Sequence, residues 1–146
     1  ILTAMINRPE RLIYLSSGMQ KYGDASDELL RSIPEGGYFP GYSDTKLHDV
    51  LLAMAVARKW KEVCSNAVDP GWVPTKMGGK NASDDLNEGF ATQVWLAVGE
   101  DPGAKLSGRY LYHKRERKSH SQAMDKKIQD QFLSVCEHLT GIPFPE

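Results

Sequence analysis

Short apolar segments alternate with segments of helical periodicity along the whole chain, and this order constrains the fold more than any other feature. An apolar run without polar alternation is typical of a strand that is buried on both faces, as in a parallel sheet. Apolar residues at steps of three and four predict an amphipathic helix. Strands that alternate with helices predict a parallel α/β sheet with right-handed crossovers. The predicted strands are 11–17, 63–68 and 107–112, and the predicted helices are 43–61, 84–98 and 120–139.

Two segments do not follow this alternation. Residues 1–6 have the pattern of the last turns of a helix without a cap before it, and the proline of Asn7-Arg8-Pro9 stops them. A chain that begins inside a helix suggests a piece of a longer protein. Residues 18–41 contain five glycines and two prolines, so a long loop is predicted there, with one helical turn near 27–31. A loop of this length in a compact domain is usually functional.

The composition excludes several classes of protein. The 146 residues suffice for one domain, 1–146, and 40% hydrophobic with 25% charged residues is typical of a soluble globular protein. The net charge of −1 provides no basic field for a nucleic acid or an anionic membrane. No apolar run approaches the roughly 20 residues of a membrane span, and no secretory signal is visible, so we expect a cytoplasmic protein. The one dense cationic stretch, 113–118, is interpreted as a solvated loop.

The spacing of cysteine and histidine residues gives no sign of a metal site. Cys64 and Cys136 are far apart and form no CxxC pattern, which favours reduced cysteines. The four histidines show no paired-ligand spacing. We therefore expect no metal.

A serine, a tyrosine and a lysine form the constellation that carries chemistry. Tyr42 and Lys46 are four residues apart at the start of a predicted helix, so both project from one face. Ser17 ends a predicted strand, at the edge where open α/β sheets bind their ligands. A tyrosine hydroxyl titrates at about 10, and a neighbouring ammonium group favours the phenolate, which gives a usable general acid or base. A serine hydroxyl can hold a substrate oxygen and stabilise the charge that develops on it.

The order of three motifs makes this constellation specific, since a Tyr-x-x-x-Lys pair alone often arises by chance. A strand ends in Ser16-Ser17-Gly18, a long helix opens with Tyr42-Ser43-Asp44-Thr45-Lys46, and the next strand runs into Asp69-Pro70-Gly71-Trp72-Val73-Pro74-Thr75. In this order, the motifs closely resemble the active-site signature of the short-chain dehydrogenase/reductase family. The resemblance covers essentially the whole chain.

The resemblance implies a role for each matched residue. Ser17, Tyr42 and Lys46 would be catalytic, with Tyr42 as the acid/base and Ser17 as the group that positions the substrate oxygen. Tyr42 and Lys46 would also contact the cofactor, and Lys46 would bind the nicotinamide ribose. Ser16 would be structural. Four further residues would lie around the nicotinamide and the pyrophosphate: Pro70, Gly71, Val73 and Thr75.

Two departures from the family's pattern affect the expected fold and cofactor. The interval between Ser17 and Tyr42 is longer than in the shortest members, as it is in members that resemble retinol dehydrogenases. The family's amino-terminal half, with its glycine-rich dinucleotide-binding turn, has no counterpart here. The resemblance therefore implies a partial Rossmann-like doubly wound parallel sheet of about three strands with flanking helices. The cofactor would be NAD or NADP, and the sequence does not decide which.

Several residues near these motifs have simpler interpretations. Trp72 and the loop 74–82 would cover the substrate as a mobile lid. His48 and Asp49, directly after Lys46, are interpreted as surface residues of their helix.

The expected function is that of an NAD(P)-dependent oxidoreductase that transfers hydride between the cofactor and a small-molecule alcohol or carbonyl substrate. Because most of the dinucleotide site is missing, the chain alone is expected to be inactive. Its open sheet edge predicts pairing with the missing amino-terminal half or self-association as a homo-oligomer, through the helix 43–61 in the second case. Two alternatives remain open: a truncated relative that binds or assembles without catalysis, and a sugar epimerase or dehydratase with the same Tyr/Lys pair.

Overall fold

The computed structural model describes residues 2–145, and its framework is a four-stranded sheet with the order β1–β2–β3–β4. The first three strands are parallel, and the fourth is antiparallel to the third. The strands are β1 (Arg11–Leu15), β2 (Cys64–Asp69), β3 (Arg109–Tyr112) and β4 (Arg115–Glu116). The helices are α1 (Leu2–Met5), α2 (Asp27–Ser32), α3 (Tyr42–Lys59), α4 (Leu86–Val98), α5 (Ser121–Met124) and α6 (Lys126–Thr140), with a 3₁₀ helix at Gly18–Tyr22.

Helices cover both faces of the sheet, because successive strand side chains point in opposite directions. On one face, Ala67 and Tyr110 belong to the larger core. Helix α3 contributes the largest share of this core, and α6 packs against α3. On the other face, Val68 and Leu111 pack against Leu96 of α4. The predicted α/β fold with a doubly wound parallel sheet is confirmed.

The long helix α3 forms because its apolar residues recur at steps of three and four. Leu47, Val50, Leu51 and Met54 are all buried, so this stripe faces the sheet as its periodicity predicts. The carboxylate of Asp44 in the first turn accepts the backbone N–H of Gly41 at 2.7 Å, which supports the start of the helix. The helix begins one residue earlier and ends two residues earlier than predicted.

The cationic stretch 113–118 is exposed from Lys114 to Lys118, as the sequence predicts, but it is not a loop throughout. It contains β4, and His113 and Lys114 form a tight two-residue turn between β3 and β4. Both turn residues have positive φ, at 48° and 60°. The sheet therefore has a fourth strand, and its two charged, exposed residues carry no apolar pattern that could reveal it.

The predicted last helix, 120–139, is two helices that meet at Asp125. Asp125 caps α6, since its carboxylate accepts the backbone N–H groups of Lys127 and Ile128 at 2.8 and 3.4 Å. The helical turn predicted near 27–31 is confirmed as α2, and the loop 18–41 also contains a 3₁₀ helix that the sequence does not predict.

Further predictions concern the first helix, membrane spans and metal ligands. The helix predicted at 1–6 is α1, although Ile1 lies outside the described residues. None of the helices in 2–145 is long and apolar enough to cross a membrane. Within the same range, no three His, Cys, Asp or Glu side chains converge as metal ligands would.

Candidate active site

The carboxyl ends of the three parallel strands meet at one edge of the sheet. Leu15 pairs with Val68, and Asp69 pairs with Tyr112, so the strand ends are in register. Ser17 follows the first of these ends, and Gly71 follows the second. This is the edge at which open α/β sheets bind ligands, and the fold alone brings these residues there.

The two adjacent serines have different surroundings. Ser16 is buried, and its hydroxyl donates to the Lys46 carbonyl at 2.7 Å, which fixes the first turns of α3 to the end of β1. Ser17 is half-buried, and its Oγ accepts the Met19 backbone N–H at 3.2 Å. Because this bond uses only a lone pair, the Ser17 hydroxyl keeps its proton for an oxygen of a ligand.

A buried tyrosine supports the backbone of Ser17 from below. The Tyr110 hydroxyl donates to the Ser17 carbonyl at 3.1 Å and lies 3.5 Å from Oδ2 of Asp69. Burial is the larger cause of the raised pKa of Tyr110, and the negative charge of Asp69 is the second. This hydroxyl therefore stays a donor at neutral pH. Sequence reasoning missed Tyr110 and Asp69 as parts of the site, because 93 residues separate Tyr110 from Ser17.

Tyr42 and Lys46 lie together at the start of α3, as their spacing predicts. Tyr42 is the first residue of the helix and is 55% exposed. The Lys46 ammonium lies 5.9 Å from the centroid of the Tyr42 ring. It donates to the Leu15 carbonyl and to Oδ2 of Asp49, both at 2.9 Å. Asp49 is therefore a partner of Lys46, a contact that its interpretation as a surface residue did not include.

The Lys46 ammonium retains capacity for a further bond. An ammonium group has three N–H donors, and two of them are used by Leu15 and Asp49. The third donor and the exposed Tyr42 fit a group with hydroxyl oxygens, such as the nicotinamide ribose of a dinucleotide. The described residues fit only this end of a dinucleotide, since no strand among them leads directly through a glycine-rich turn into an α-helix that could hold a pyrophosphate.

Asp44 attaches the preceding loop to the start of α3. Its carboxylate accepts bonds from the Tyr38 hydroxyl at 2.5 Å and from the Asp24 backbone N–H at 2.9 Å. The hydrogen bond to Asp44 raises the pKa of Tyr38 to about 12, so Tyr38 remains protonated. These contacts determine the backbone position immediately before Tyr42.

His48 is another correction to the sequence interpretation. Its ring is half-buried against Phe132 of α6, with a centroid distance of 4.8 Å, and is not a free surface group. Its Nε2 is buried and has no hydrogen-bond partner among residues 2–145. Burial lowers the pKa of His48, because the charged form would lose solvation.

The loop after β2 is closed at its base by Asp84. The Trp72 backbone N–H donates to Oδ2 of Asp84 at 2.7 Å, and the Asp84 N–H donates to the Trp72 carbonyl at 2.9 Å. Gly71 has a φ of 81°, and a Cβ at this position would collide with the Asp84 carboxylate. Within the loop, the Trp72 indole donates to the Gly78 carbonyl at 2.8 Å. Asp84 thus orders the loop that sequence analysis describes as a mobile lid.

Of the other predicted cofactor contacts, Val73 and Thr75 have mainly local partners. The Val73 side chain packs over Gly89 of α4, where an added Cβ would lie 2.6 Å from Val73 Cγ1. The Thr75 hydroxyl accepts the Gly78 N–H at 3.1 Å. Pro70 continues β2 into the Gly71 turn. No contact of these three residues reaches Tyr42 or Lys46 in the described part of the chain.

An open groove of about 390 Å³ lies at this edge of the sheet. Ser17 and Gly71 line it, whereas Tyr42 and Lys46 do not; Lys46 is hydrogen-bonded to Leu15 and Ser16, which directly precede Ser17. Three aromatic side chains and two carboxylates also line it: Tyr22, Trp72, Tyr112, Asp69 and Asp84. The arrangement can hold a small organic molecule next to the Ser17 hydroxyl.

Several known proteins have sequences similar to that of this chain. No family model matches the chain. The chain is 39% identical over 150 residues to the short-chain dehydrogenase chry4 of Gibberella zeae, and 36% identical over 150 residues to the short-chain dehydrogenase chyC of Penicillium rubens. Both matches cover 99% of this chain and 58% of the relative. Carbonyl reductase [NADPH] 1 of Bos taurus is 36% identical over 87 residues, which cover 56% of this chain and 31% of that protein.

The fold is also present in a solved structure. The crystal structure of an uncharacterized protein from Mycobacterium paratuberculosis superposes with a TM-score of 0.69 at 19% identity, and covers 93% of this chain and 52% of that one. This likeness concerns the fold alone. In both kinds of comparison, the chain spans little more than half the length of the protein that it matches over nearly all of its own residues.

Proposed function

Because the chain belongs to the short-chain dehydrogenase/reductase family and corresponds to the carboxy-terminal half of its fold, we propose that it carries the catalytic residues of an NAD(P)-dependent oxidoreductase. The reaction would transfer hydride between the cofactor and an alcohol or carbonyl carbon. The observation that supports this proposal best is the joint position of Tyr42, Lys46 and Ser17 at the carboxyl edge of the sheet. The identity of the cofactor, NAD or NADP, is left open by this proposal.

In the proposed reaction, NAD(P) supplies or accepts the hydride. Tyr42 gives its phenolic proton to the substrate oxygen during reduction, or takes it during oxidation. Lys46 would place a positive charge near the Tyr42 ring, whose centroid lies 5.9 Å from its ammonium. The Ser17 hydroxyl donates to the substrate oxygen and stabilises the charge that develops there.

Contacts inside this chain would keep the three groups in place. The Lys46 ammonium is oriented by Leu15 and Asp49, the start of α3 is attached to β1 by Ser16, and the Ser17 backbone is supported by Tyr110. Asp84 would hold the turn at Gly71, which the family places beside the nicotinamide. Pro70, Val73 and Thr75 would complete that part of the cofactor site, and the pyrophosphate would be bound by residues that this chain lacks.

Because the pyrophosphate would be bound by the other half of the fold, we expect that the chain alone is inactive and pairs through its sheet. β1 has a strand partner on one side only within the described residues, and Leu15 at its end is 52% exposed. An open edge of this kind pairs readily with a further strand. We propose that the partner is the amino-terminal half found in longer relatives, or a second copy when that half is absent. A monodisperse monomer in size-exclusion chromatography with light scattering would contradict this.

The decisive experiment replaces Tyr42 in a full-length protein that contains this chain. Turnover is measured with NADPH and NADH against a panel of ketones, aldehydes and secondary alcohols. Tyr42→Phe should reduce kcat by at least about 100-fold, in line with the loss of a general acid, while cofactor affinity is kept. Tyr14→Phe is the matched control, since it removes a tyrosine hydroxyl that bonds Thr3 outside the groove. Unchanged turnover in Tyr42→Phe would refute the assignment.

A further inference from the structure

A cationic groove lies between the β3–β4 hairpin and the first turn of α4, and the proposed reaction does not use it. It has a volume of about 490 Å³. Its walls are formed by Glu88, Tyr112, His113, Lys114, Arg115 and Arg117. Three of these six side chains are cationic and only one is acidic, in a protein whose net charge is −1. The positive charge is therefore a local property of this groove.

The cations of the groove lack the carboxylate partners that other arginines have. Lys114, Arg115 and Arg117 form no ion pair with any residue in 2–145, and Glu88 forms none with them. Arg117 instead lies over the Tyr112 ring, 5.5 Å from its centroid. Every other arginine of the chain forms an ion pair with a carboxylate: Arg8, Arg11, Arg31, Arg58 and Arg109. Like charges that share a groove repel one another, and an anion between them removes that repulsion.

The backbone of the hairpin turn has a conformation that residues with a Cβ adopt infrequently. His113 and Lys114 have φ values of 48° and 60°, which are the signs of a type I′ turn. Such turns are usually made by Asn-Gly or Asp-Gly, because residues with a Cβ are disfavoured at positive φ. Backbone strain of this kind is concentrated at ligand-binding and catalytic positions. The turn is held in place by the Lys114 N–H, which donates to the Thr92 hydroxyl at 2.9 Å.

His113 adds a hydrogen-bonding group without a partner. Its ring stacks on Tyr112 with a centroid distance of 3.7 Å. Its Nε2 is buried and has no hydrogen-bond partner in the described part of the chain. A buried polar atom without a partner is costly, so a ligand oxygen that accepts a bond from it would be stabilising.

We propose that this groove binds an oxyanion, namely a phosphate or carboxylate group of a small-molecule ligand. Arg115, Arg117 and Lys114 would supply charge-assisted hydrogen bonds, and His113 would supply a further donor. The groove is next to that of Ser17, since Tyr112 lines both of them. The proposal goes beyond the oxidoreductase function and does not depend on it, because anion binding can be measured without turnover.

The test is a ¹⁵N–¹H chemical-shift titration of the chain with sodium phosphate and, separately, with sodium acetate, with chloride used to keep the ionic strength constant. Saturable shifts are expected at residues 113–117 and at Glu88. Tighter binding of phosphate would assign a phosphate-bearing ligand, and equal or tighter binding of acetate would assign a carboxylate. The absence of saturable shifts at the hairpin with both anions would overturn the proposal.

Two variants should change the affinity in opposite directions. Arg115→Gln removes a groove cation and should weaken binding about tenfold, the effect of losing one charge-assisted hydrogen bond. Glu88→Gln removes the only acid of the groove and should tighten binding about threefold. Lys61→Gln and Glu28→Gln are matched controls at exposed positions outside the groove, and neither should change the affinity. Equal affinities for Arg115→Gln and Lys61→Gln would also overturn the proposal.

Discussion

Replacing Tyr110 with phenylalanine removes a single hydroxyl from beneath the proposed catalytic serine. Tyr110 is 4% exposed, so the substitution leaves a core ring in place and exposes nothing new. The hydroxyl donates to the Ser17 carbonyl at 3.1 Å and has a long contact of 3.5 Å with Asp69. The hydroxyl also has a hydrogen bond with the Gln20 side chain. The variant therefore tests the hydrogen bonds that this hydroxyl makes at the end of β1.

The expected loss of stability follows from these contacts. A net intramolecular hydrogen bond contributes about 1 kcal/mol. The Ser17 carbonyl keeps its second bond, from the Gln20 N–H at 3.0 Å, so this acceptor is not orphaned. The contact with Asp69 is too long to add much. A loss of about 1 kcal/mol lowers the melting temperature of a chain of this size by about 4 °C.

The effect on turnover should be larger than the effect on stability. With one of two bonds to its carbonyl removed, Ser17 is held less closely, and a loosely placed catalytic group reduces the rate of the chemical step. In a full-length protein, kcat should fall about tenfold while KM for the cofactor is unchanged. The measurements are thermal unfolding by circular dichroism and steady-state kinetics.

Tyr112→Phe is the control for this experiment. It also removes a tyrosine hydroxyl at the same edge, but one whose contact with Asp84 is 3.4 Å long. This variant should lose less than about 0.5 kcal/mol, since a contact of this length is weak. If Tyr110→Phe and Tyr112→Phe have equal melting temperatures and equal kcat, the support of Ser17 by Tyr110 has no role. A loss of stability in Tyr110→Phe with unchanged kcat would make Tyr110 structural only.

Three further predictions concern the fold around the site. Because burial lowers the pKa of His48, the folded state binds fewer protons than the unfolded state below about pH 6.5. The free energy of unfolding should therefore fall as the pH decreases from 7 to 5. In urea titrations, His48→Gln should reduce this pH dependence, and the control His138→Gln should not. Gly79→Ala should cost about 1 kcal/mol for its positive φ alone, whereas Gly71→Ala should cost at least about 1 kcal/mol more, since its Cβ also meets a carboxylate; urea unfolding of both variants measures the difference. Asp125→Ala should lower the free energy of unfolding by about 1 kcal/mol, because α6 loses its cap, and a melting temperature unchanged from that of the parent would contradict this.

The main elements could be predicted from the sequence because their signals are local. The apolar run at 11–15 and the stripe of Leu47, Val50 and Leu51 each identify an element from a few neighbouring residues. The break at Asp125 was missed because apolar periodicity continues across it, although an aspartate before Lys-Lys-Ile is a recognisable helix cap. β4 has no local signal at all, since a two-residue strand exists only through its pairing with β3.

In the candidate site, too, local sequence signals identify some side-chain positions and miss those that depend on distant contacts. Tyr42 and Lys46 could be paired from their spacing, because a helix fixes which residues share a face. The bond between Tyr110 and Ser17 joins distant strands, and Asp84 reaches Trp72 across a loop. His48 was assigned to the surface because nothing near it in the sequence shows that Phe132 covers it. Contacts of this kind depend on the register of the sheet and on helix packing.

The contacts around Tyr42, Lys46 and Ser17 indicate what each half of the proposed enzyme contributes. Within the described residues, the proposed catalytic residues are held by several contacts: Ser16 and Leu15 hold Lys46, Asp44 holds the start of α3, and Tyr110 holds Ser17. None of these contacts requires a strand beyond the edge of β1. We therefore infer that the amino-terminal half of longer relatives contributes mainly cofactor affinity. The chain alone would then fail to turn over because it cannot hold the dinucleotide, and adding the other half should restore activity without any change in the positions of Tyr42, Lys46 and Ser17.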